Sequence, residues 1–211
     1  MADWATISSL GTAGGTLVLA VATFASVRSS NRSARIAEQA LREQRRPVLA
    51  HSRLDDPVQK IAFGDGHWVR VGGSGAAFEE AGGVIYLALS VRNVASGIGV
   101  LQAWHVEVGQ TRTLGGDHAP LDVFRPHSRD LLIPGGDIGV WQGAIRDPED
   151  PARAALSRAL AERREVAVEL LYADQTGEQR TVSRFGLLPV GDDAWLAGVG
   201  RHWLLDADDA R

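Results

Sequence analysis

The chain contains no cysteine, one lysine and one methionine among its 211 residues. The absence of cysteine excludes disulfide bonds and thiolate metal sites, and it is consistent with a reducing compartment. Recognisable catalytic motifs are missing as well. The sequence has no Gly-x-Ser-x-Gly elbow, no phosphate-binding loop that ends in Gly-Lys-Ser/Thr, and no Gly-x-Gly-x-x-Gly fingerprint.

The histidines do not form a metal-binding pattern. They lie at positions 51, 67, 105, 118, 127 and 202, with no His-x-x-x-His or Glu-x-x-His spacing. The nearest approaches to ligand pairs are Asp117 with His118, and His105 with Glu107. Because a metal site needs three or four converging ligands, we predict no metal, no cofactor and no catalytic residue from the sequence.

One stretch also lacks charge, because no charged side chain lies between Asp3 and Arg28. These 24 residues would form about 36 Å of helix, enough to cross a hydrocarbon core of about 30 Å. Six arginines follow: Arg28, Arg32, Arg35, Arg42, Arg45 and Arg46. Positive charge beside a span marks its cytoplasmic end. The sequence therefore predicts a single-pass plasma (inner) membrane protein, with a transmembrane helix over 4–27, its amino terminus outside and its carboxy-terminal domain cytoplasmic. The alternatives are a buried helix of a soluble domain and a cleaved signal peptide, although a signal peptide would carry positive charge before its apolar part.

Two further interactions are predicted for this amino-terminal region. Gly11 and Gly15 form a small-xxx-small pair, with Ser8 and Thr12 on the same helical face, and such faces can pack against each other in lipid. Residues 28–46 form an Arg-rich juxtamembrane helix with a net charge of +4, which Pro47 ends. We expect its six arginines to contact anionic lipid headgroups, each contributing about 1 kcal/mol near the surface. These features favour a weak homo-oligomer formed through residues 8–44.

The remaining residues, 47–211, read as one β-rich domain with a net charge of −7, which does not favour nucleic-acid binding. A nearly continuous apolar run at 83–91 predicts a strand buried on both faces, and alternation predicts strands at 100–108, 165–172 and 179–187. Weaker strands are predicted at 48–54, 58–63, 67–71, 130–133, 139–144 and 195–204.

Asp150 and Pro151 begin a predicted helix over 151–164, and the glycine-rich stretch 72–83 is predicted to be a mobile loop. Of the six tryptophans, those at 68, 104, 141, 195 and 203 are assigned to core packing. The pattern predicts an antiparallel, immunoglobulin-like β-sandwich with one lateral helix.

Four segments resemble those of uncharacterised actinobacterial-type proteins. They are VRNVASGIG at 91–99, RDLLIPGGD at 129–137, LYADQ at 171–175 and SRF at 183–185. The similar chains also have a short amino-terminal span, an Arg-rich helix that ends in Arg-Pro (here Arg46-Pro47) and a β-rich domain. The resemblance covers nearly the whole chain. Its motifs are structural in character, so it implies no activity and no functional residues.

Two functional interpretations remain open. The first is a membrane-anchored binding or adaptor module for an unknown protein or small molecule. The second is a membrane-tethered hydrolase that uses a His/Asp site assembled only by the fold. A pocket with two histidines and Asp117, Asp122 or Asp174 would favour the enzyme, whereas an exposed sheet edge or an apolar groove would favour the adaptor.

Overall fold

The computed structural model describes residues 4–109 and 116–205, without the side chains of 4–16, 18 and 128–130. The chain divides into two units, Met1–Gln44 and Arg45–Arg211. The helices are α1 (Trp4–Arg45) and α2 (Arg153–Ala161), with a 3-10 turn at Leu121–Val123. The strands are β1 (Leu49–His51), β2 (Gln59–Ala62), β3 (Trp68–Val71), β4 (Gly75–Ala81), β5 (Val84–Asn93), β6 (Gly99–Val108), β7 (Arg125–Ile133), β8 (Ile138–Ile145), β9 (Val166–Ala173), β10 (Thr181–Val190) and β11 (Ala194–Leu204).

The first unit contains all of α1 except its last residue, Arg45, which lies two residues before Pro47. Proline removes an amide donor and disfavours helical geometry in the residue before it, which explains why the helix does not continue past Arg45. Among the residues whose side chains are described, no helix is both long enough and apolar enough to cross a membrane. The first half of the predicted span, which includes Ser8, Gly11, Thr12 and Gly15, lies outside those side chains.

The second unit is a single antiparallel sheet of nine strands together with a two-stranded ribbon of β2 and β3. Hydrogen bonding runs in the order β1-β5-β4-β11-β10-β9-β6-β7, and β8 joins the sheet through β5. Strand β8 pairs with residues 85–92 along one edge of β5. Along the other edge of β5, β4 pairs with residues 84–89 and β1 pairs with residues 91–93. This arrangement confirms a mainly β, antiparallel fold. It does not confirm an immunoglobulin-like sandwich, which would hold its strands in two separate sheets.

The sheet curves around one apolar core. Inward side chains from β6 and β7 and from β5 and β8 belong to the same buried cluster, although these strand groups lie at opposite ends of the hydrogen-bonded path. Leu156 and Ala159 of α2 close part of this core. The β2–β3 ribbon covers the outer face of β4 and β5, which explains why β5 is buried on both faces, as its apolar run predicts.

Most predicted elements are confirmed, and two expectations are wrong. The predicted loop over 72–83 contains β4, which turns into β5 through Gly82 and Gly83. Both glycines have positive φ, 57° and 78°, as a two-residue hairpin of type I′ requires. Trp68 is 53% exposed rather than part of the core, because it lies on the outer side of the ribbon. Helix α2 begins later than predicted, but Asp150 still accepts a hydrogen bond from the Ala152 amide at its start.

Candidate functional site

One candidate site is a cleft between β7 and β8, the two strands at the ends of the curved sheet. A turn at 134–137 joins these two strands. Near that turn the strands lie close together, because a Cβ added at Gly139 would be 2.8 Å from the Ile133 side chain. No backbone pairing joins the two strands, however, and farther from the turn they enclose a cleft of about 780 Å³. Residues 62–65, at the end of the β2–β3 ribbon, form a third wall. We refer to this space as the seam cleft.

The Trp104 ring and Gly143 form the floor of the seam cleft, and the buried Trp141 ring packs against both of them. Trp104 of β6 lines the cleft and packs edge-to-face against Trp141 of β8, with ring centroids 5.4 Å apart. Between them, a Cβ added at Gly143 would lie 2.8 Å from the Trp141 ring and 3.0 Å from the Trp104 ring. Glycine is therefore required for the two rings to pack this closely.

Arg125 of β7 forms one polar wall. Its guanidinium lies 5.0 Å from the centre of the Trp104 ring, and its Nη2 donates to both carboxylate oxygens of Asp150 at 2.7 and 2.9 Å. Its other terminal nitrogen, Nη1, is buried and has no hydrogen-bond acceptor within the described part of the chain. A buried cationic donor without a partner is energetically costly.

The opposite wall is formed by a hydrogen-bonded network of three side chains, Arg146 after β8, Tyr86 of β5 and Asp65 of the β2–β3 turn. Arg146 donates to Asp65 at 2.9 Å, and the Tyr86 hydroxyl donates to the same carboxylate at 3.0 Å. Although burial opposes ionisation, hydrogen bonds from the His67 amide, the Tyr86 hydroxyl and Arg146 lower the pKa of Asp65. Burial and the hydrogen bond to Asp65 raise the pKa of Tyr86. These hydrogen bonds therefore keep the Asp65 carboxylate ionised at the rim of the seam cleft.

The edge of β8 that faces away from β5 presents backbone groups. The backbone amide of Asn93 donates to the backbone carbonyl of Asp137 at 3.0 Å, so these two residues form a hydrogen-bonded pair of the antiparallel ladder. Hydrogen-bonded and non-hydrogen-bonded pairs alternate along such a ladder. The backbone groups of residues 139, 141, 143 and 145 therefore form hydrogen bonds with β5. The N–H and C=O groups of residues 138, 140, 142 and 144 consequently point away from β5. Of these four residues, 142 and 144 line the seam cleft.

A second, shallower cavity of about 470 Å³ lies on the outer face of β6, β9 and β10. His105, Asp117 and His118 line it together, as the hydrolase interpretation requires. The His118 Nδ1 lies 2.7 Å from the Ala119 carbonyl, which only accepts, so the neutral ring donates from Nδ1 and keeps its lone pair on Nε2. None of the lining residues in the described part of the chain is a serine, threonine or cysteine. These residues therefore offer acid–base groups without a nucleophile.

A buried ion pair supports the wall of this second cavity. Arg184 of β10 and Glu169 of β9 lie opposite each other and are 5% and 3% exposed. Arg184 donates to Glu169 Oε1 through Nε at 2.8 Å and to the Asp117 carbonyl through Nη2 at 2.9 Å, and the other Glu169 oxygen accepts from the Ala119 amide. The pair thus fastens residues 117–119 to the sheet.

Ser183 and His202 form the contact that most resembles a nucleophile with its base. Ser183 Oγ lies 2.6 Å from His202 Nδ1 and 2.8 Å from the Tyr172 hydroxyl, which in turn accepts from the Leu49 amide. Ser183 is completely buried, so no substrate can reach its hydroxyl group. We therefore interpret this chain as a structural connection between β1, β9, β10 and β11.

The residues predicted from the sequence to contact lipid lie on or just after α1. Arg28, Arg32, Arg35, Arg42 and Arg45 are exposed, and Arg42 pairs with Glu38 one helical turn away at 2.8 Å. Arg46 differs, because it is 9% exposed and belongs to the second unit. Of the two other aspartates considered for an enzyme, Asp122 is exposed on the 3-10 turn. Asp174 accepts the amides of Glu178 and Gln179 in the β9–β10 turn.

The sequence reasoning missed the residues of the seam cleft. Arg125 precedes the predicted strand 130–133, so nothing in the sequence pattern places it beside Trp104. Gly143 did carry a signal, since a glycine inside an apolar strand often marks a close approach by another group. Among the side chains that the structure describes, no three His, Asp or Glu residues converge in a way that could hold a metal ion.

Comparisons with known proteins add little. No protein-family model matches the chain, and no curated protein matches it. A crystal structure of a protein from Archaeoglobus fulgidus is similar at 9% sequence identity, over 61% of this chain and 92% of that one, with a TM-score of 0.26. A similarity at that TM-score does not establish a shared fold.

Proposed function

We propose that this chain is a membrane-anchored binding module and that the seam cleft is its ligand site. The observation that carries the proposal is the cleft itself, in which an aromatic floor lies beside the guanidinium groups of Arg125 and Arg146 and the carboxylate of Asp65. Concave sites with an apolar floor and a few directed polar groups are the usual form of ligand sites in proteins. The ligand is a protein segment or a small molecule with a hydrogen-bond acceptor for Arg125.

Membrane anchoring is part of the same proposal and is supported by the sequence. The uncharged run 4–27 and the six arginines after it favour one span, with residues 47–211 on the cytoplasmic side. A reporter enzyme fused after Arg211 tests this orientation. Activity only in the cytoplasm is expected, and activity outside the membrane would contradict it.

Cleft occupancy can be tested by a matched pair of substitutions. A Cβ at Gly64, which lines the seam cleft, meets no atom within 4 Å, and the same is true of Gly72, which does not line it. Gly64→Trp should therefore obstruct the cleft without disturbing the fold, and Gly72→Trp is the control. We expect detergent-extracted wild type and Gly72→Trp to co-purify the same molecules from native membranes, and Gly64→Trp to lose at least one of them. Identical co-purification by all three proteins would contradict the proposal.

A tethered hydrolase is a second candidate, favoured by the meeting of His105, Asp117 and His118 in one cavity. In that case, His118 Nε2 would act as a general base toward water. A panel of nitrophenyl esters and nitrophenyl phosphates tests this function. Turnover that disappears in His118→Asn would support it, whereas no turnover, or turnover unchanged in the variant, would count against it.

A further inference from the structure

We propose that the outer face of the β2–β3 ribbon is a docking surface for an anionic lipid membrane. This inference rests on the membrane anchoring in the proposed function and goes beyond it, because it names the part of the second unit that meets the lipid. Three observations carry it: the face is exposed, it concentrates positive charge, and it presents a tryptophan. We call the surface formed by Val58, Lys60, Trp68 and Arg70 the ribbon face.

The ribbon is held on the sheet by its inner face. That face packs in a buried cluster with side chains of β4 and β5 through Ile61, Val69 and Val71. Successive side chains of a strand point to opposite faces, so Lys60, Trp68 and Arg70 lie on the other side of the ribbon, where all three are exposed. The ribbon face is therefore available to a partner without any change in the packing of the domain.

Two cations lie side by side on the ribbon face. Lys60 and Arg70 are directly opposite each other in the pairing of β2 with β3. Like charges in opposite positions destabilise a strand pair. No carboxylate within the described part of the chain forms an ion pair with either side chain. Folding therefore gains nothing from this arrangement, whereas an anionic surface would relieve the repulsion.

The nearby carboxylates do not neutralise these two cations. Four acidic residues lie between positions 55 and 79, and Asp55 forms no ion pair with Lys60 or Arg70. The other three are bound by other side chains: Asp56 by Arg92, Asp65 by Arg146 and Glu79 by His67. The ribbon face is thus a positive area on a domain whose net charge is −7 over residues 47–211. An anionic membrane repels the average surface of this domain and attracts this face.

Trp68 gives the ribbon face an aromatic contact for the membrane interface. It is 53% exposed, and the Lys60 ammonium lies 4.5 Å from the centre of its ring. Tryptophan is enriched at the level of the lipid headgroups, where its ring contacts apolar groups while its N–H remains hydrated. Val58, immediately before β2, is 65% exposed and adds an apolar side chain. Aromatic and aliphatic side chains beside basic ones are typical of surfaces that bind the lipid interface.

The size of the charge effect favours lipid over a soluble polyanion. Each basic residue near an anionic membrane contributes a factor of about five to the binding equilibrium, so Lys60 and Arg70 together contribute a factor of about 25. A factor of that size would not hold a nucleic acid or an acidic protein from dilute solution. It is sufficient to orient a domain that an anchor already keeps beside the lipid, because the effective concentration of lipid is then high.

The test uses the absence of cysteine, which makes one introduced cysteine a unique site for a label. The full chain with Val58→Cys carries nitrobenzoxadiazole, whose fluorescence lifetime distinguishes lipid from water. Val190→Cys, at the exposed end of β10, carries the same label as a control. Each protein is reconstituted into vesicles of phosphatidylcholine, or of equal parts phosphatidylcholine and phosphatidylglycerol. We expect a lipid-contacting population of the label at 58 in the anionic vesicles, and none at 190.

Charge variants then test the ribbon face itself. Lys60→Gln with Arg70→Gln should lower the ratio of docked to undocked label about 25-fold in the anionic vesicles. Arg158→Gln with Arg201→Gln is the control, because it removes the same net charge outside the ribbon. The melting temperature of the ribbon variant should not fall, since the substitutions remove a repulsion.

Three outcomes would overturn the inference, and they are distinguishable. A chain that does not float with neutral vesicles refutes the anchor and this inference with it. A chain that floats, but whose label at 58 ignores phosphatidylglycerol or responds equally in the two charge variants, refutes the inference alone and leaves the proposed function standing. A response of the label at 58 to polyglutamate or single-stranded DNA added to neutral vesicles would assign the ribbon face to a soluble polyanion instead of lipid.

Discussion

Asn93 shows how a single side chain can hold several segments together. Completely buried at the end of β5, it donates through Nδ2 to the carbonyls of Gly97 and Ile133 and accepts through Oδ1 from the amides of Val48 and Ala95. The 91–99 and 129–137 segments therefore meet at this one side chain, which holds them together by hydrogen bonds.

The first prediction concerns Gly97, which packs against the backbone of Arg45, the first residue of the second unit. A Cβ at this position would overlap the carbonyl oxygen of Arg45, so Gly97→Ala must displace backbone. We expect a loss of about 1–3 kcal/mol in the free energy of unfolding, measured in urea. Gly198→Ala is the control, because a Cβ there meets no atom within 4 Å. An equal effect of the two substitutions would refute the close contact at Gly97.

The second prediction concerns the pH dependence of stability through His202. Desolvation lowers the pKa of His202 below its usual value of 6.5. The folded protein therefore binds fewer protons at this site than the unfolded chain, and stability falls as the pH drops below about 6.5. Urea unfolding of wild type and His202→Asn at pH 7.5 and pH 5.5 measures this effect. We expect the wild type to lose more stability than the variant over this interval, and parallel losses would contradict the assignment.

At the scale of elements, β9 and β10 are joined by an interaction that is unusual for a sheet surface. Glu169 and Arg184 occupy opposite positions on the outer face and are nevertheless almost completely buried, since residues 117–119 lie over them. Removing one member of a buried ion pair leaves an uncompensated charge, which typically costs about 3–5 kcal/mol.

A double-mutant cycle follows as the third prediction. Glu169→Gln and Arg184→Met should each be strongly destabilising, while the double variant should lose less than the sum of the two losses. The exposed pair of Glu162 and Arg164 is the control, for which Glu162→Gln should change the free energy of unfolding by less than about 1 kcal/mol. Strictly additive losses in the Glu169–Arg184 cycle, measured by urea unfolding, would show that the two side chains do not interact.

The sequence specifies most of these elements but not their arrangement. Local patterns suffice for β5, β9, β10 and the Asp174 turn, because apolar periodicity and turn chemistry are encoded within a few residues. The hairpin at Gly82 and Gly83 is also specified by the local sequence, but the high glycine content of 72–83 led to the prediction of a loop there. The meeting of Arg125 with Trp104 depends on pairing between segments about twenty residues apart, and the divergence of β7 from β8 depends on contacts of their turn with β5. Such long-range features cannot be deduced from one sequence.

At the scale of the whole molecule, the chain carries charge of opposite sign in its two parts. The Arg-rich juxtamembrane helix of residues 28–46, here called the stalk, has a positive net charge, and residues 47–211 have a negative net charge. Anionic lipid therefore attracts the stalk and repels the average surface of the β domain. On an anionic membrane surface, which the proposed function requires, this distribution favours contact of the α1 arginines with headgroups.

The last prediction is that α1, rather than the β domain, mediates self-association. Small residues at Gly11 and Gly15 would let two helices approach closely in lipid, and exposed Ile36 and Leu41 offer an apolar stripe on the stalk. Contacts of this kind contribute about 1 kcal/mol each, so the oligomer should be weak. We expect chemical crosslinking in membranes to be reduced in Gly11→Ile with Gly15→Ile, and residues 47–211 to be monomeric when released. Equal crosslinking would exclude the glycine face, and a dimeric fragment would move the interface to the sheet.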